Sequence, residues 1–335
     1  MLAADRNLAL ELVRATESAA MAAGRWMGRG DKDAADGAAV NALRYILNTV
    51  SMSGVVVIGE GEKDEAPMLF NGERLGDAPY PEVDIAVDPI DGTRLTALGL
   101  SGAISAVALS ERGTMFNPGN IYYMNKLVTG PEAAHAIDIT LSPEENILRV
   151  AEAKGKQLDD VTVVMLDRPR HDGLRERVRK LGARIKLIPD GDIGGSLLTC
   201  KARGGADLLM GIGGSPEAVI TACAIKCMGG NMQCRLWPRN DDDMAESRKR
   251  GLDLDQVLTI HDLVRGDNVF FAATGITDGD FLKGVLYEGS EIQTSSMVMR
   301  SKSGTIRFIE GIHKPGKLAL LSKESGIDYS TVHPH

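Results

Sequence analysis

Val83-Asp84-Ile85-Ala86-Val87-Asp88-Pro89-Ile90-Asp91-Gly92-Thr93 is the stretch on which the reading of this chain turns. Val83 to Val87 is apolar apart from Asp84 and reads as a buried strand ending at Asp88. Pro89 keeps the residue before it out of the helical region, so the strand is expected to break sharply after Asp88. Gly92 lets a ligand come close to the backbone, and Thr93 opens a helix whose first amides suit a phosphate. Two acids on such a turn can hold a metal while the helix start holds the anion that the metal bridges. A plainer account is a turn between strand and helix, with the Thr93 hydroxyl as a cap. Asp84, upstream on the same strand, fits either a supporting place behind a site or a sheet edge.

Outward from this stretch the same habit recurs. Gly54-Val55-Val56-Val57-Ile58-Gly59 reads as a strand that ends at Glu60-Gly61-Glu62. Val161 to Leu166 runs into Arg168-Pro169-Arg170-His171-Asp172, and a basic amphipathic helix follows through Lys180. Ile185 to Ile188 runs into Pro189-Asp190-Gly191-Asp192 and then a helix. Leu208-Leu209-Met210 leads to a glycine-rich loop, Gly211-Ile212-Gly213-Gly214-Ser215-Pro216-Glu217, and another helix. Two helices come first, over residues 5–27 and from Ala38 to Val50, with a loop over Gly28 to Asp33 and Asp36 as the cap of the second. Strand, polar loop and helix in repetition predict a layered α/β fold, with ligands at the carboxyl ends of the strands. Ser142-Pro143-Glu144-Glu145 caps a connecting helix at a boundary near residues 142–160, which divides the chain into 1–150 and 151–335. Residues 239–256 are charged and read as a surface excursion, and the tail after Lys314 is weakly patterned.

Composition narrows the function classes. The 335 residues suffice for a large core, and their 43% hydrophobic and 25% charged content is that of a globular protein. A net charge of −8 with no basic stripe argues against nucleic acid and anionic membrane as partners. No apolar run reaches the roughly 20 residues of a membrane span, and Met1 to Arg6 lacks the pattern of a secretion signal. Cys200, Cys223, Cys227 and Cys234 have no disulfide-scaffold or zinc spacing, so they read as reduced core thiols of a cytoplasmic protein. The six histidines show no ligand spacing, and His171 reads as structural. Arg29-Gly30-Asp31 is a chance tripeptide, and Gly211 to Gly214 lacks the register of a dinucleotide loop.

Five carboxylates remain. Asp36 opens a helix, Glu60 ends a strand, Asp88 and Asp91 flank Pro89-Ile90, and Glu217 follows the Gly-Gly-Ser-Pro turn. Any one of them alone reads as a solvated cap. Five on separate small-residue loops point to a shared hard cation such as Mg²⁺ or Mn²⁺.

These residues carry a family resemblance. Asp88-Pro89-Ile90-Asp91-Gly92-Thr93 resembles the metal-and-phosphate motif of inositol monophosphatases and fructose bisphosphatases. Gly28 to Lys32, Asp36 to Val40, Val57 to Leu69, Pro189 to Asp192, Gly211 to Glu217 and Ala272 to Thr277 resemble the class II fructose-1,6-bisphosphatases of bacteria. The likeness runs from about residue 6 to residue 313. Many members have Glu where this chain has Asp91, and many have Lys in place of Arg168. The segment after Arg235 reads as shorter than is usual in that family.

The resemblance implies an α-β-α-β-α sandwich and hydrolysis of the 1-phosphate of fructose 1,6-bisphosphate with Mg²⁺ or Mn²⁺. It implies Asp36, Glu60, Asp88, Asp91 and Glu217 as metal ligands, and Thr93, Asp36 and Lys32 as catalytic residues. Asp91, Gly92 and Thr93 would hold the leaving phosphate, with Thr93 orienting the water. Tyr123, Arg168, Pro169 and Arg170 would hold the distal phosphate, and Asp190, Gly191, Asp192 and Gly214 the sugar. Residues 1–150 would thus serve metal and phosphate, and residues 151–335 the sugar and distal phosphate, lending Glu217 to the metals. A homodimer or homotetramer is implied as well. Other readings are sedoheptulose 1,7-bisphosphate or an inositol monophosphate as substrate, and a catalytically silent sugar-phosphate-binding module.

Overall fold

The computed structural model describes residues 7–61, 68–119, 121–201, 205–249 and 251–314. The chain begins with two packed helices, α1 (Ala9–Gly24) and α2 (Lys32–Asn48). Next come β1 (Ser53–Ile58), β2 (Arg74–Leu75), β3 (Glu82–Asp91), α3 (Thr93–Leu98) and β4 (Ile104–Glu111). The middle of the chain contributes β5 (Tyr123–Thr129), α4 (Pro143–Ala153), β6 (Thr162–Leu166), α5 (Asp172–Leu181) and β7 (Arg184–Ile188). It continues with α6 (Asp192–Leu197), β8 (Leu208–Gly214), α7 (Ser215–Met228), β9 (Asn231–Leu236), α8 (Asp241–Lys249), β10 (Leu258–Thr259) and α9 (Ile260–Leu263). The strands β11 (Phe270–Gly275), β12 (Leu286–Glu288), β13 (Glu291–Arg300) and β14 (Thr305–His313) complete it.

Two mixed sheets result. The first runs β12-β13-β11-β4-β3-β1-β2, with β14 on the outer side of β13, and the second runs β10-β9-β5-β8-β6-β7. The chain therefore leaves the first sheet after β4 and returns to it at β11. Helices α1 and α2 cover one face of the first sheet, around Leu12, Leu43, Ile85 and Leu109. Helices α4 and α5 cover the far face of the second, around Ile147, Val163 and Val178. Between the sheets lies α7, which touches both. Its Ala218, Val219, Ile220, Ala222, Cys223, Ala224 and Ile225 are all buried, since a helix enclosed by two sheets must be apolar on every side. The layers are thus α-β-α-β-α. Strand β3 is buried almost throughout, so its residues do not alternate as in a one-sided sheet. Cys223, Cys227 and Cys234 are free and buried, and desolvation holds their thiols up, in the protonated form. Among the described residues no helix is long and apolar enough to cross a membrane.

Three local expectations need correction. The second helix begins at Lys32, six residues before the expected Ala38, because the Asp31 carboxylate accepts from the Ala34 amide and caps it. Asp36 is therefore inside the helix and not its cap. Strand β3 does not stop at Asp88. Its ladder with β4 passes Asp88↔Ala106 and resumes at Asp91↔Ile104, one extra residue on the β3 side. Pro89 sits in that β-bulge, where a missing amide costs no ladder bond. Gly211 to Gly214 is likewise strand rather than loop, paired antiparallel with Tyr123 to Lys126. The helix expected over residues 5–27 is α1, ending at Gly24; residues 1–6 and the tail beyond Lys314 lie outside the described residues.

Candidate active site

The bulge in β3 re-aims two carboxylates. With one extra residue between them, Asp88 and Asp91 both line a cavity of about 450 Å³ at the carboxyl end of the strand. Asp88 folds back to accept from the Ile90 amide at 3.1 Å. Asp91 accepts from the Gly194 amide at 3.0 Å, tying this strand to the loop and helix that carry Asp190, Gly191 and Asp192. Gly92 adopts a left-handed φ of 95° and hands the chain to α3. Thr93 is the first residue of that helix, and its hydroxyl donates to the Ile90 carbonyl at 3.2 Å.

Three other elements bring acids to the same cavity. Asp36 comes from the second turn of α2, Glu60 from the end of β1, and Glu217 from the first turn of α7. The strand before α7 needs its glycines for this. A Cβ on Gly214 would lie 1.7 Å from Glu217 Oε2, and one on Gly213 would lie 1.8 Å from Asp192 Oδ2. The carboxylates lie flat against a bare backbone that no other residue provides.

Crowding and burial make these acids hard to ionise. Burial, then Asp36 and Glu217, push Glu60 up to about 8. Asp88 is held well above the usual carboxylate range by burial, then by Asp91, Glu217, Glu60 and Asp36. Burial and the Asp192 charge do the same to Asp91, against the Gly194 bond, and burial also raises Asp36. Glu217 rises through burial and Asp192, and its Oε2 is buried without a hydrogen-bond partner. Such a donor set, all hard oxygen with one oxygen unsatisfied, fits a divalent cation. Among the described residues no three of these acids, histidines or cysteines already stand as a ready-made ligand group.

The remaining lining is cationic and aromatic. Arg168 comes from the loop after β6 and donates to the Pro189 carbonyl at 2.5 Å and to Asp190 at 3.3 Å. Arg170 donates twice to the Ile212 carbonyl and lies over the Tyr123 ring, 4.9 Å from its centre. Trp237 supports Tyr123 edge-on. The turn that presents both arginines is fixed by His171, whose Nδ1 lies 2.7 Å from the Leu166 carbonyl and whose Nε2 accepts from the Ile212 amide. Burial lowers the His171 pKa, so it is a neutral strut. Asp84 is likewise structural, accepting from the amides of Thr114 and Met115.

The cavity gathers Asp36, Glu60, Asp88, Asp91, Gly92, Thr93, Tyr123, Arg168, Arg170, Asp190, Gly191, Asp192, Gly214 and Glu217. Two residues singled out in the sequence stand apart. Lys32 is exposed at the start of α2, one turn before Asp36, and Pro169 opens the turn between the two arginines; neither lines the cavity. Two large polar side chains that were not anticipated also line it. Tyr122 precedes Tyr123, and Arg239 lies over the Tyr122 ring at 4.0 Å while forking onto Asp243. Arg239 follows the end of β9, so the strand-end habit that marked the other loops would have marked it too.

The arrangement pairs an acidic, metal-fitting group with a fixed cationic group in one cavity, which suits an ester with more than one phosphate. The family model described as bacterial fructose-1,6-bisphosphatase, glpX-encoded, matches residues 6–313. The chain belongs to that family. Similar to it is the fructose-1,6-bisphosphatase class 2 of Haemophilus influenzae, 48% identical over 322 residues, covering 92% of this chain and 96% of that protein. The fructose-1,6-bisphosphatase 1 class 2 of Escherichia coli K12 is 46% identical over 321 residues, covering 92% and 95%. Matches of this length take in all the elements that build the cavity, so the bulge, the glycine strand and the arginine turn sit within the family's shared span.

Proposed function

We propose that this chain is a divalent-metal-dependent phosphatase that hydrolyses the 1-phosphate of fructose 1,6-bisphosphate, releasing fructose 6-phosphate and phosphate in the gluconeogenic direction. The observation that carries the reading is the joint lining of one cavity by five hard acids and a preset arginine pair. The names of its relatives supply the sugar. Asp36, Glu60, Asp88, Asp91 and Glu217 would hold Mg²⁺ or Mn²⁺. Such a cation, when bound, polarises the phosphoryl group and neutralises the leaving oxygen.

The chain's own residues do the rest. Gly92 and Thr93 present amides that have no partner inside α3 and face the reacting phosphate. The Thr93 hydroxyl orients a water in line with the ester bond; the water's oxygen bonds to phosphorus as the bond to the sugar oxygen breaks, the water gives up a proton, and the sugar oxygen leaves with a proton in exchange. Arg170, Arg168, Tyr123 and Arg239 hold the distal phosphate, and Asp190, Gly191, Asp192 and Gly214 read sugar hydroxyls. The buried free thiols support a cytoplasmic setting. Ile306, Phe308 and Ile312, exposed on edge strand β14, support a homodimer or homotetramer.

Phosphate release should be measured on fructose 1,6-bisphosphate, sedoheptulose 1,7-bisphosphate, fructose 1-phosphate and an inositol monophosphate, with Mg²⁺, with Mn²⁺ and with a chelator. The expected result is metal-dependent turnover that favours fructose 1,6-bisphosphate. Equal turnover of the monophosphates would overturn the bisphosphate reading. Arg170→Ala should raise KM for the bisphosphate by roughly ten- to a hundredfold, since a charge-assisted bond contributes about 1.5–3 kcal/mol. Weak fructose 1-phosphate hydrolysis should hardly change. Arg239→Ala, at the exposed rim, should raise the same KM only about two- to fivefold. An equal loss on both substrates would mean that Arg170 supports the fold instead.

A further inference from the structure

Behind the cavity lies a cation that no step above uses. Lys126, in the middle of β5, is 2% exposed, and its ammonium group donates to Asp192 Oδ2 at 2.6 Å. The other oxygen of that carboxylate, Oδ1, is buried and has no hydrogen-bond partner. Asp192 is the first residue of α6, follows the left-handed Gly191, and lines the cavity. Its charge opposes the ionisation of both Asp91 and Glu217. An unpaired Asp192 would thus be a sixth acid pressing on the metal-fitting group, with both oxygens able to turn toward a cation.

We propose that Lys126 is a positioning residue that commits Asp192 to the substrate's sugar: it ties down one carboxylate oxygen and leaves the other presented to a sugar hydroxyl. The pairing does two jobs through one bond. It fixes the orientation of the carboxylate, so that Oδ1 meets a donor without a rotamer having to be frozen on binding. It also cancels a charge that would otherwise draw Asp192 toward the cation, keeping the hydroxyl-reading acid distinct from the ligand acids. The fold is shaped to the pair. Gly213 faces Met124 across the ladder, and any side chain there would collide with Asp192 Oδ2 and crowd Lys126 Nζ, which would lie 3.1 Å from the added carbon. Lys126 also opposes the rise that burial and Asp192 impose on Glu217.

This inference rests on the cavity being a sugar-bisphosphate site, and the parent enzyme tests that separately: without turnover of fructose 1,6-bisphosphate the functional reading fails before any variant is made. Given parent turnover, Lys126→Met should raise KM for fructose 1,6-bisphosphate and Ki for fructose 6-phosphate by roughly tenfold or more, with a smaller change in kcat. Ki for inorganic phosphate, which has no sugar and feels Asp192 only through the metal-fitting acids, should move much less. A merely structural lysine would move the two inhibition constants together. Lys126→Met leaves the Asp192 charge buried and unpaired, so it can fail to fold. The double variant Lys126→Met with Asp192→Asn removes both charges at nearly constant volume and decides the matter. Its KM should equal that of Asp192→Asn alone, because Lys126 acts only through Asp192. A KM for Lys126→Met at the parent value, a parallel shift of both inhibition constants, or a further rise in KM from Asp192→Asn to the double variant would each overturn the proposal.

Discussion

Replacing Asp88 by Asn should lower kcat by roughly a thousandfold or more and leave the protein folded. The size follows from the work assigned to the cation, several kcal/mol of transition-state charge stabilisation, at about 1.4 kcal/mol per tenfold. Asn keeps the shape of the side chain and the acceptor that takes the Ile90 amide at 3.1 Å, so the bulge should survive. What it removes is a buried carboxyl whose ionisation is opposed by burial, then by Asp91, Glu217, Glu60 and Asp36. In chelator, therefore, the variant should melt at or above the parent's temperature. Added Mn²⁺ should raise the melting temperature of the parent by binding the native state, and should raise that of the variant much less. Glu217→Gln should behave alike, since its Oε2 is the buried oxygen left unsatisfied. Kinetics and thermal melts of both variants, with and without metal, check the prediction. Turnover within tenfold of the parent, or activity that survives exhaustive chelation, would mean that these acids do not form a metal centre.

The acids were legible in the sequence because each stands beside glycine or at one edge of an apolar run, and short-range pattern finds such positions. The details that aim them were not. Pro89 in a strand ordinarily signals its end, yet the bulge gives the proline a place where no ladder amide is needed, and β3 runs on to Asp91. Asp36 reads in the sequence as the cap of a helix from Ala38, yet the cap from Asp31 to Ala34 starts α2 at Lys32. Gly211 to Gly214 looked like a loop for want of side chains. At Gly211, Gly213 and Gly214 side chains are absent because His171, Asp192 and Glu217 occupy the room where Cβ atoms would be.

What was illegible is what depends on partners distant in sequence. Lys126 stands with Asn125 and Thr129 among the polar residues of a seven-residue strand, and nothing local distinguishes it from a solvated lysine. Only packing between the sheets shows that it is buried against Asp192, 66 residues away. Arg239 sat in a charged stretch that read as surface, and it is indeed exposed; it reaches the cavity beside Tyr122, while Asp243 holds its guanidinium. Which sheet a strand joins is equally unwritten in the strand itself. β5 enters the second sheet and β11 the first, and neither strand's own residues name its neighbours.

Thr93→Ala should reduce kcat by roughly 10²–10⁴-fold with little change in KM, the loss typical of a group that guides a proton or a water in the transition state. The geometry does not fit the plainer role of a helix cap. A capping hydroxyl sits at the residue before the helix and accepts from an amide two or three places on. Here that residue is Gly92, which has no side chain, and Thr93 lies one place inside, donating to the Ile90 carbonyl at 3.2 Å. The bond turns the hydroxyl oxygen, with its lone pairs free, to the cavity that Asp88 and Glu217 also line. Losing it should cost only about 0.5–1.5 kcal/mol of stability. Thr93→Ser keeps the hydroxyl but not the methyl that limits its rotamers, so it should retain a measurable fraction of parent turnover while Ala does not. The two variants are to be compared for kcat, KM and melting temperature in saturating metal. If Ala and Ser fell equally in kcat, the methyl and its packing would be the requirement, not the hydroxyl. If Ala kept kcat within a few-fold while losing stability, Thr93 would serve only to pin α3 to the bulge, and another group would have to orient the water.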